Sequence, residues 1–109
     1  PEDLVQVGVT SKPLAQVVRL ARLAQTVGLD GLVCSPQEVA PLRRAGIRLP
    51  LITPGIQFGG HGGHDQKRTA TPDQAWKAGA THLVVGRSIL DAKNPAQVAR
   101  EILKLRPIP

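Results

Sequence analysis

The chain has 109 residues, enough for one domain with a modest core. Hydrophobic residues make up 41% and charged residues 20%, and Phe58 and Trp76 are its only aromatics, so the core must be Leu, Val, Ile and Ala, and no aromatic platform exists for stacking nucleic-acid bases. The formal charge of +6 is scattered, with Arg43-Arg44 and Lys67-Arg68 as its only doublets, which reads as solvated helix faces plus a few cations facing small anions, not as a nucleic-acid track.

In chain order, Lys12 to Val27 carries Leu14, Val17, Leu20, Ala21, Ala24 and Val27 at helical spacing. Gly28 is placed to stop that helix, and Leu32-Val33-Cys34 follows as a short apolar run. Ser35-Pro36-Gln37-Glu38 then has the form of a helix start, with a capping residue, proline at the first helical position and a side chain at the third that can reach back. The same unit recurs. Gly46 precedes the run ending Leu51-Ile52-Thr53, and Gly79 precedes Leu83-Val84-Val85-Gly86. Thr71-Pro72-Asp73-Gln74 and Asn94-Pro95-Ala96-Gln97 repeat the helix start. Between Gly55 and Ala70 lies a long glycine-rich loop. Val98, Ile102 and Leu105 mark one face of the last helix, and Pro107-Ile108-Pro109 reads as a frayed tail.

Alternation of this kind implies a parallel sheet with right-handed crossovers, its apolar strands buried on both faces. Only three strands are evident, which leaves two open edges. A (β/α)8 barrel needs about 250 residues, so residues 1–109 are read as the C-terminal part of one such α/β barrel domain, roughly strands 6 to 8 with flanking helices. The lone Cys34 excludes an internal disulfide and fits a cytoplasmic protein. No apolar run is long enough to span a membrane, and no signal peptide is visible. The chain does not begin with Met, and Pro1 is read as an internal position of a longer product.

The chemistry suggested by this layout is anion binding. In such barrels the phosphate site uses the loops after the last two strands. Glycines 59, 60, 62 and 63 let backbone N–H groups approach an anion, and Gly86 does so after the last strand. Arg87 adds a charged fork, Gln66 can both donate and accept, and Ser88 to Leu90 has room for a brief helical turn. Each feature alone has a plainer reading, as loop flexibility or a surface arginine; their placement at two neighbouring strand ends favours the anion. His61 and His64 lack a third ligand and are read as exposed loop residues, so no metal site is expected. Cys34 is read as a small core residue and His82 as a capping or surface residue.

Thr53-Pro54-Gly55-Ile56, Asp65-Gln66-Lys67-Arg68, Thr71-Pro72-x-Gln74-Ala75 and the run Gly79 to Arg87, together with Gly28 to Ser35, closely resemble the orotidine 5'-phosphate decarboxylase family over nearly the whole chain. The resemblance implies a (β/α)8 homodimer that converts orotidine 5'-monophosphate to uridine 5'-monophosphate and CO2 without metal or organic cofactor. It also implies that Gln66, Gly86 and Arg87 hold the substrate phosphate, with Gln66 near the pyrimidine as well. Two departures stand out. Many bacterial members carry arginine at the position of Gln57, and a neutral amide there would hold the phosphate less tightly. The family's Asp-x-Lys-x-x-Asp array is absent from these residues, so no catalytic residue is assigned to this chain, and the remaining N-terminal half of the barrel is its implied partner. Two alternatives remain open. One is another phosphate-binding barrel enzyme, such as a sugar-phosphate decarboxylase or aldolase. The other is a non-catalytic half-barrel that acts by association alone. Neither nucleic acid nor membrane is an expected partner.

Overall fold

The structure is a computed structural model in which Asp3, Gln6, residues 12–59 and residues 69–107 are described. Its elements are α1 (Pro13–Thr26), β1 (Leu32–Val33), α2 (Pro36–Arg44), β2 (Leu51–Thr53), α3 (Pro72–Ala78), β3 (His82–Leu83), α4 (Arg87–Leu90) and α5 (Pro95–Lys104). The three strands form one parallel sheet in the order β1-β2-β3. Leu32 pairs with Leu51, and Ile52 with His82.

Local chemistry explains the boundaries. Among the described residues, the four longer helices take proline at the start, where its missing N–H has no intrahelical acceptor to lose. The chain leaves α1, α2 and α3 through Gly28, Gly46 and Gly79, with φ of 82°, 90° and 117°, a backbone hand that other residues adopt at a cost. At Thr71 the cap is reciprocal: its Oγ1 accepts from the Gln74 N–H at 3.2 Å, and its own N–H donates to Gln74 Oε1 at 3.0 Å. At Ser35 the N–H donates to Glu38 Oε1 at 2.8 Å. Asn94 Oδ1 accepts from the Gln97 N–H at 3.1 Å, but the Gln97 amide turns instead to Glu101, so the expected return bond is not made there.

β2 lies at the centre. Leu51 and Thr53 are fully buried, and Val39 and Leu42 of α2 and Ala75 of α3 close over them. α2 packs against both α1 and α3. Trp76 joins the last two long helices, its buried indole N–H donating to the Ile102 carbonyl at 3.0 Å.

Burial on both faces is incomplete even in β2, where Leu51 and Thr53 are buried on one face but Ile52 on the other is half-buried, and it fails at the edges, where Val33 is 73% exposed and Val84, just past β3, 52%. A strand paired on one side only leaves half its surroundings open. The apolar stripe of α1 is likewise only partly covered: Ala21 and Ala24 are buried, while Leu14, Leu20 and Val27 are exposed. In α5 Ile102 is buried, while Leu105, which caps its end, is exposed. Two largely apolar hollows flank the sheet. One of about 370 Å³ lies between α1 and β1, with Val17, Leu20 and Leu32 in its wall. The other, of about 320 Å³, lies between β3 and α5, with Leu83, Ile89 and Leu103 in its wall.

Candidate functional site

Parallel pairing sends every strand out of the sheet at the same end. The β2–β3 ladder continues one step beyond the strands, with the Val84 N–H donating to the Thr53 carbonyl at 2.9 Å. The segments that follow, Pro54 to Gly59 and Val85 to Ser88, therefore leave side by side.

The first segment is pinned before and after the glycine-rich stretch. Ile56 is buried and bridges to Ala70. The Gln57 N–H donates to the Ala70 carbonyl, and the Ala70 N–H to the Gly55 carbonyl, each at 3.0 Å. From α2, Gln37 Nε2 donates to the Thr69 carbonyl at 3.0 Å. Gln57 is thus held at the foot of the loop, half-buried. Residues 60–68, which include the expected phosphate ligand Gln66, His61, His64 and the Lys67-Arg68 doublet, lie outside the described residues.

The second segment makes the short helical turn anticipated after β3. Gly86 precedes it, and its carbonyl accepts from the N–H groups of both Ile89 and Leu90 at 3.0 Å. Intrahelical bonding begins at Ile89, so the amides before it lead into the turn unclaimed by it. A Cβ built on Gly86 would meet no atom within 4 Å, and its φ is negative, so neither packing nor backbone hand requires glycine there. Its smallness instead leaves space at the strand end. Arg87 is exposed beside that space, with no acidic partner among the described residues.

One bond ties the two segments together. Ser88 is 4% exposed, and its Oγ accepts from the Phe58 N–H at 2.9 Å. The structure thereby brings Gln57, Gly86 and Arg87 to one end of the sheet.

A second buried hydroxyl lies at the same end. Thr53 Oγ1 has no hydrogen-bond partner among the described residues. Burial pushes the neighbouring Cys34 thiol pKa up, and the Thr53 hydroxyl pulls it partly back. That contact falls short of a hydrogen bond that would satisfy Thr53. A raised pKa keeps the thiol protonated near neutrality, which fits its reading as a core residue. His82 is exposed and its Nδ1 lies 3.0 Å from Thr81 Oγ1, as a surface residue would. Among the described residues no three His, Cys, Asp or Glu side chains gather as metal ligands, and no helix is long and apolar enough to cross a membrane.

Sequence reasoning did not single out Ser88 as the tie between the loops, nor Gln37 as a support of the loop foot. It also placed Arg43 among solvated charges. The half-buried Arg43 in fact donates four hydrogen bonds to backbone carbonyls. The visible signal at Ser88 was its position between Arg87 and an apolar pair, where a hydroxyl facing inward needs a partner.

The sequence model of the orotidine 5'-phosphate decarboxylase / HUMPS family matches residues 2–102. The orotidine 5'-phosphate decarboxylase of Actinobacillus succinogenes is 52% identical over 101 residues, covering 92% of this chain and 44% of the relative. That of Pasteurella multocida is 50% identical over 107 residues, covering 97% of this chain and 46% of the relative. Among solved structures, the enzyme of the same name from Lactobacillus acidophilus superposes with a TM-score of 0.75 at 32% identity, over 99% of this chain and 45% of that one. The one from Pyrococcus horikoshii gives 0.60 at 26% identity, over 81% of this chain and 40% of that one. The chain spans less than half the length of the curated relatives it matches.

Proposed function

The chain belongs to the orotidine 5'-phosphate decarboxylase / HUMPS family, and from that membership we propose that it supplies the phosphate-holding, C-terminal part of a (β/α)8 decarboxylase acting on orotidine 5'-monophosphate. The products are uridine 5'-monophosphate and CO2, a step of pyrimidine biosynthesis. The relatives described above are named for this nucleotide reaction, which favours it over a sugar-phosphate substrate.

The observation that carries the reading is the convergence of Gln57 with Gly86-Arg87 at one end of a parallel sheet, tied by the Phe58–Ser88 bond. Arg87 offers a planar fork to two phosphate oxygens. Gly86 leaves room for the anion to approach the backbone of the turn. Gln57 offers a neutral donor. Gln66, outside the described residues, is assigned to phosphate and pyrimidine on its motif alone.

No group here is assigned to the carbon–carbon bond that breaks. That chemistry belongs to an Asp-x-Lys-x-x-Asp array on the N-terminal half of the barrel, the proposed partner of this part. The phosphate is remote from the reacting carbon, yet binding energy at a remote group lowers the barrier when it is spent on positioning the base and closing the site. The exposed edges of β1 and β3 and the apolar hollows beside them are where that half would pack. No cofactor is assigned. A cytoplasmic homodimer completes the proposal.

The test is loss of orotidylate absorbance on incubation with the intact gene product. No loss at saturating substrate rejects the decarboxylase reading. Light scattering of the same sample tests the dimer.

A further inference from the structure

We infer that Ser88 is a positioning residue, which sets the spacing between the two anion-holding segments without itself carrying charge to the ligand. The inference rests on the phosphate reading above.

Among the described residues, Thr53 and Ser88 are the two buried polar side chains. A buried hydroxyl whose hydrogen bonding is unmet carries the full cost of its lost hydration. Thr53 is unpartnered, whereas Ser88 takes the Phe58 N–H at 2.9 Å. The bond spans 30 residues of sequence. It also joins the immediate neighbours of the two proposed ligands, since Phe58 follows Gln57 and Ser88 follows Arg87. Successive amides of the first segment are held in opposite directions. The Gln57 N–H points to Ala70, at the entry to α3, and the Phe58 N–H points to Ser88, in α4. With both bonds made, Gln57 cannot shift toward or away from Arg87 unless one of them breaks. With the second removed, the foot of the loop keeps only its ties to the Thr69–Ala70 segment, which Gln37 of α2 holds in turn.

Ser88→Ala removes the acceptor, and Ser88→Cys keeps the volume while substituting a weak one. Both are expected to raise KM for orotidine 5'-monophosphate about tenfold in the intact gene product, the change that follows from losing one buried hydrogen bond. kcat is expected to stay within about twofold, because the reacting groups lie elsewhere. Inhibition by inorganic phosphate should weaken by a similar factor. Hydrogen exchange of the peptide spanning residues 56–59 should speed up in both variants while the fluorescence-monitored melting curve stays two-state. KM within twofold of the wild type in both variants overturns the positioning role, and unchanged exchange overturns the coupling itself. If the wild type has no decarboxylase activity, the functional reading fails separately. The coupling is then judged by exchange, which requires no substrate.

Discussion

Arg43 and Gly79 are joined by two hydrogen bonds: Nε and Nη2 of the guanidinium both donate to the Gly79 carbonyl, at 3.0 and 2.8 Å. The third nitrogen, Nη1, donates to the carbonyls of Ile47 and Leu49 at 2.9 and 2.8 Å. Ile47 and Leu49 lead into β2, and Gly79 lies in the turn before β3. One side chain at the end of α2 thus fixes where two paired strands begin. The fit is close, since a Cβ on Gly79 would come within 2.9 Å of Arg43 Cγ.

An ammonium cannot reproduce this. Lysine carries its donors on one atom and cannot reach carbonyls on both sides. Arg43→Lys is expected to destabilise the intact gene product by about 2 kcal/mol, since hydrogen bonds to a charged group contribute more than neutral ones. Urea denaturation measures the loss. KM for the nucleotide should be unchanged under conditions where the variant is folded, because Arg43 acts at the opposite end of the strands from Arg87. An unshifted urea midpoint would show that the clamp contributes nothing.

How far the sequence discloses this molecule depends on the range of each signal. Ser35-Pro36, Thr71-Pro72 and Asn94-Pro95 mark helix starts because capping is decided within four residues, and Gly28, Gly46 and Gly79 mark ends for the same reason. Parallel pairing of the strands followed from alternation. The role of Arg43 did not, because its acceptors lie 4, 6 and 36 residues away and are main-chain oxygens that any residue would present. Ser88 was hidden likewise, as its partner is an amide 30 residues distant. Periodicity identified the apolar stripe of α1 but not whether anything covers it, so Leu20 reads as core and stands 56% exposed. Gly86 and Arg87 were legible as a pair because the glycine follows an apolar run directly, whereas the bond that fixes their distance from Gln57 was not.

Cys34 is 6% exposed, and burial raises its thiol pKa above the ordinary value, with Thr53 and Arg43 opposing and Glu38 reinforcing the shift. The folded state therefore holds the thiol proton more tightly than the unfolded chain does. The associated stabilisation is complete below the unfolded thiol pKa of about 8.5 and is lost as pH rises through the folded value. Wild-type stability should fall on the alkaline side of that point, and Cys34→Ala should lack this component of the slope. Labelling by a disulfide reagent at pH 8 should be slower than in denaturant by on the order of 100-fold. Equal labelling rates would mean that the thiol is accessible in the fold.

Arg87 stands exposed next to the open space at Gly86. Arg87→Ala in the intact gene product is expected to lower kcat/KM by about 3 kcal/mol of transition-state stabilisation, roughly a hundredfold, with little change in melting temperature. Arg87→Lys should recover only part, because a point charge replaces a fork. Steady-state kinetics at fixed ionic strength decide it, and kcat/KM equal to that of the wild type would remove Arg87 from the site.

Gln57 gives the opposite expectation. Its backbone is fixed by the bond from its N–H to the Ala70 carbonyl, and the next amide is fixed to Ser88. A side chain introduced at this position would therefore start from a set place beside the Gly86-Arg87 turn. Gln57→Arg adds a charge-assisted donor where a neutral amide now stands, and such bonds are about twice as strong as neutral ones. KM for the nucleotide should fall several-fold, and the fall should shrink as salt is raised, since a partly exposed charge is screened. The double variant Gln57→Arg with Ser88→Ala provides the control. If Ser88 sets the spacing, the gain from the added arginine should be smaller when the Phe58 amide is released, and the two effects will not add. Additive effects on KM would place Gln57 and Ser88 in independent roles. A KM that rises on Gln57→Arg would mean that this position does not face the phosphate.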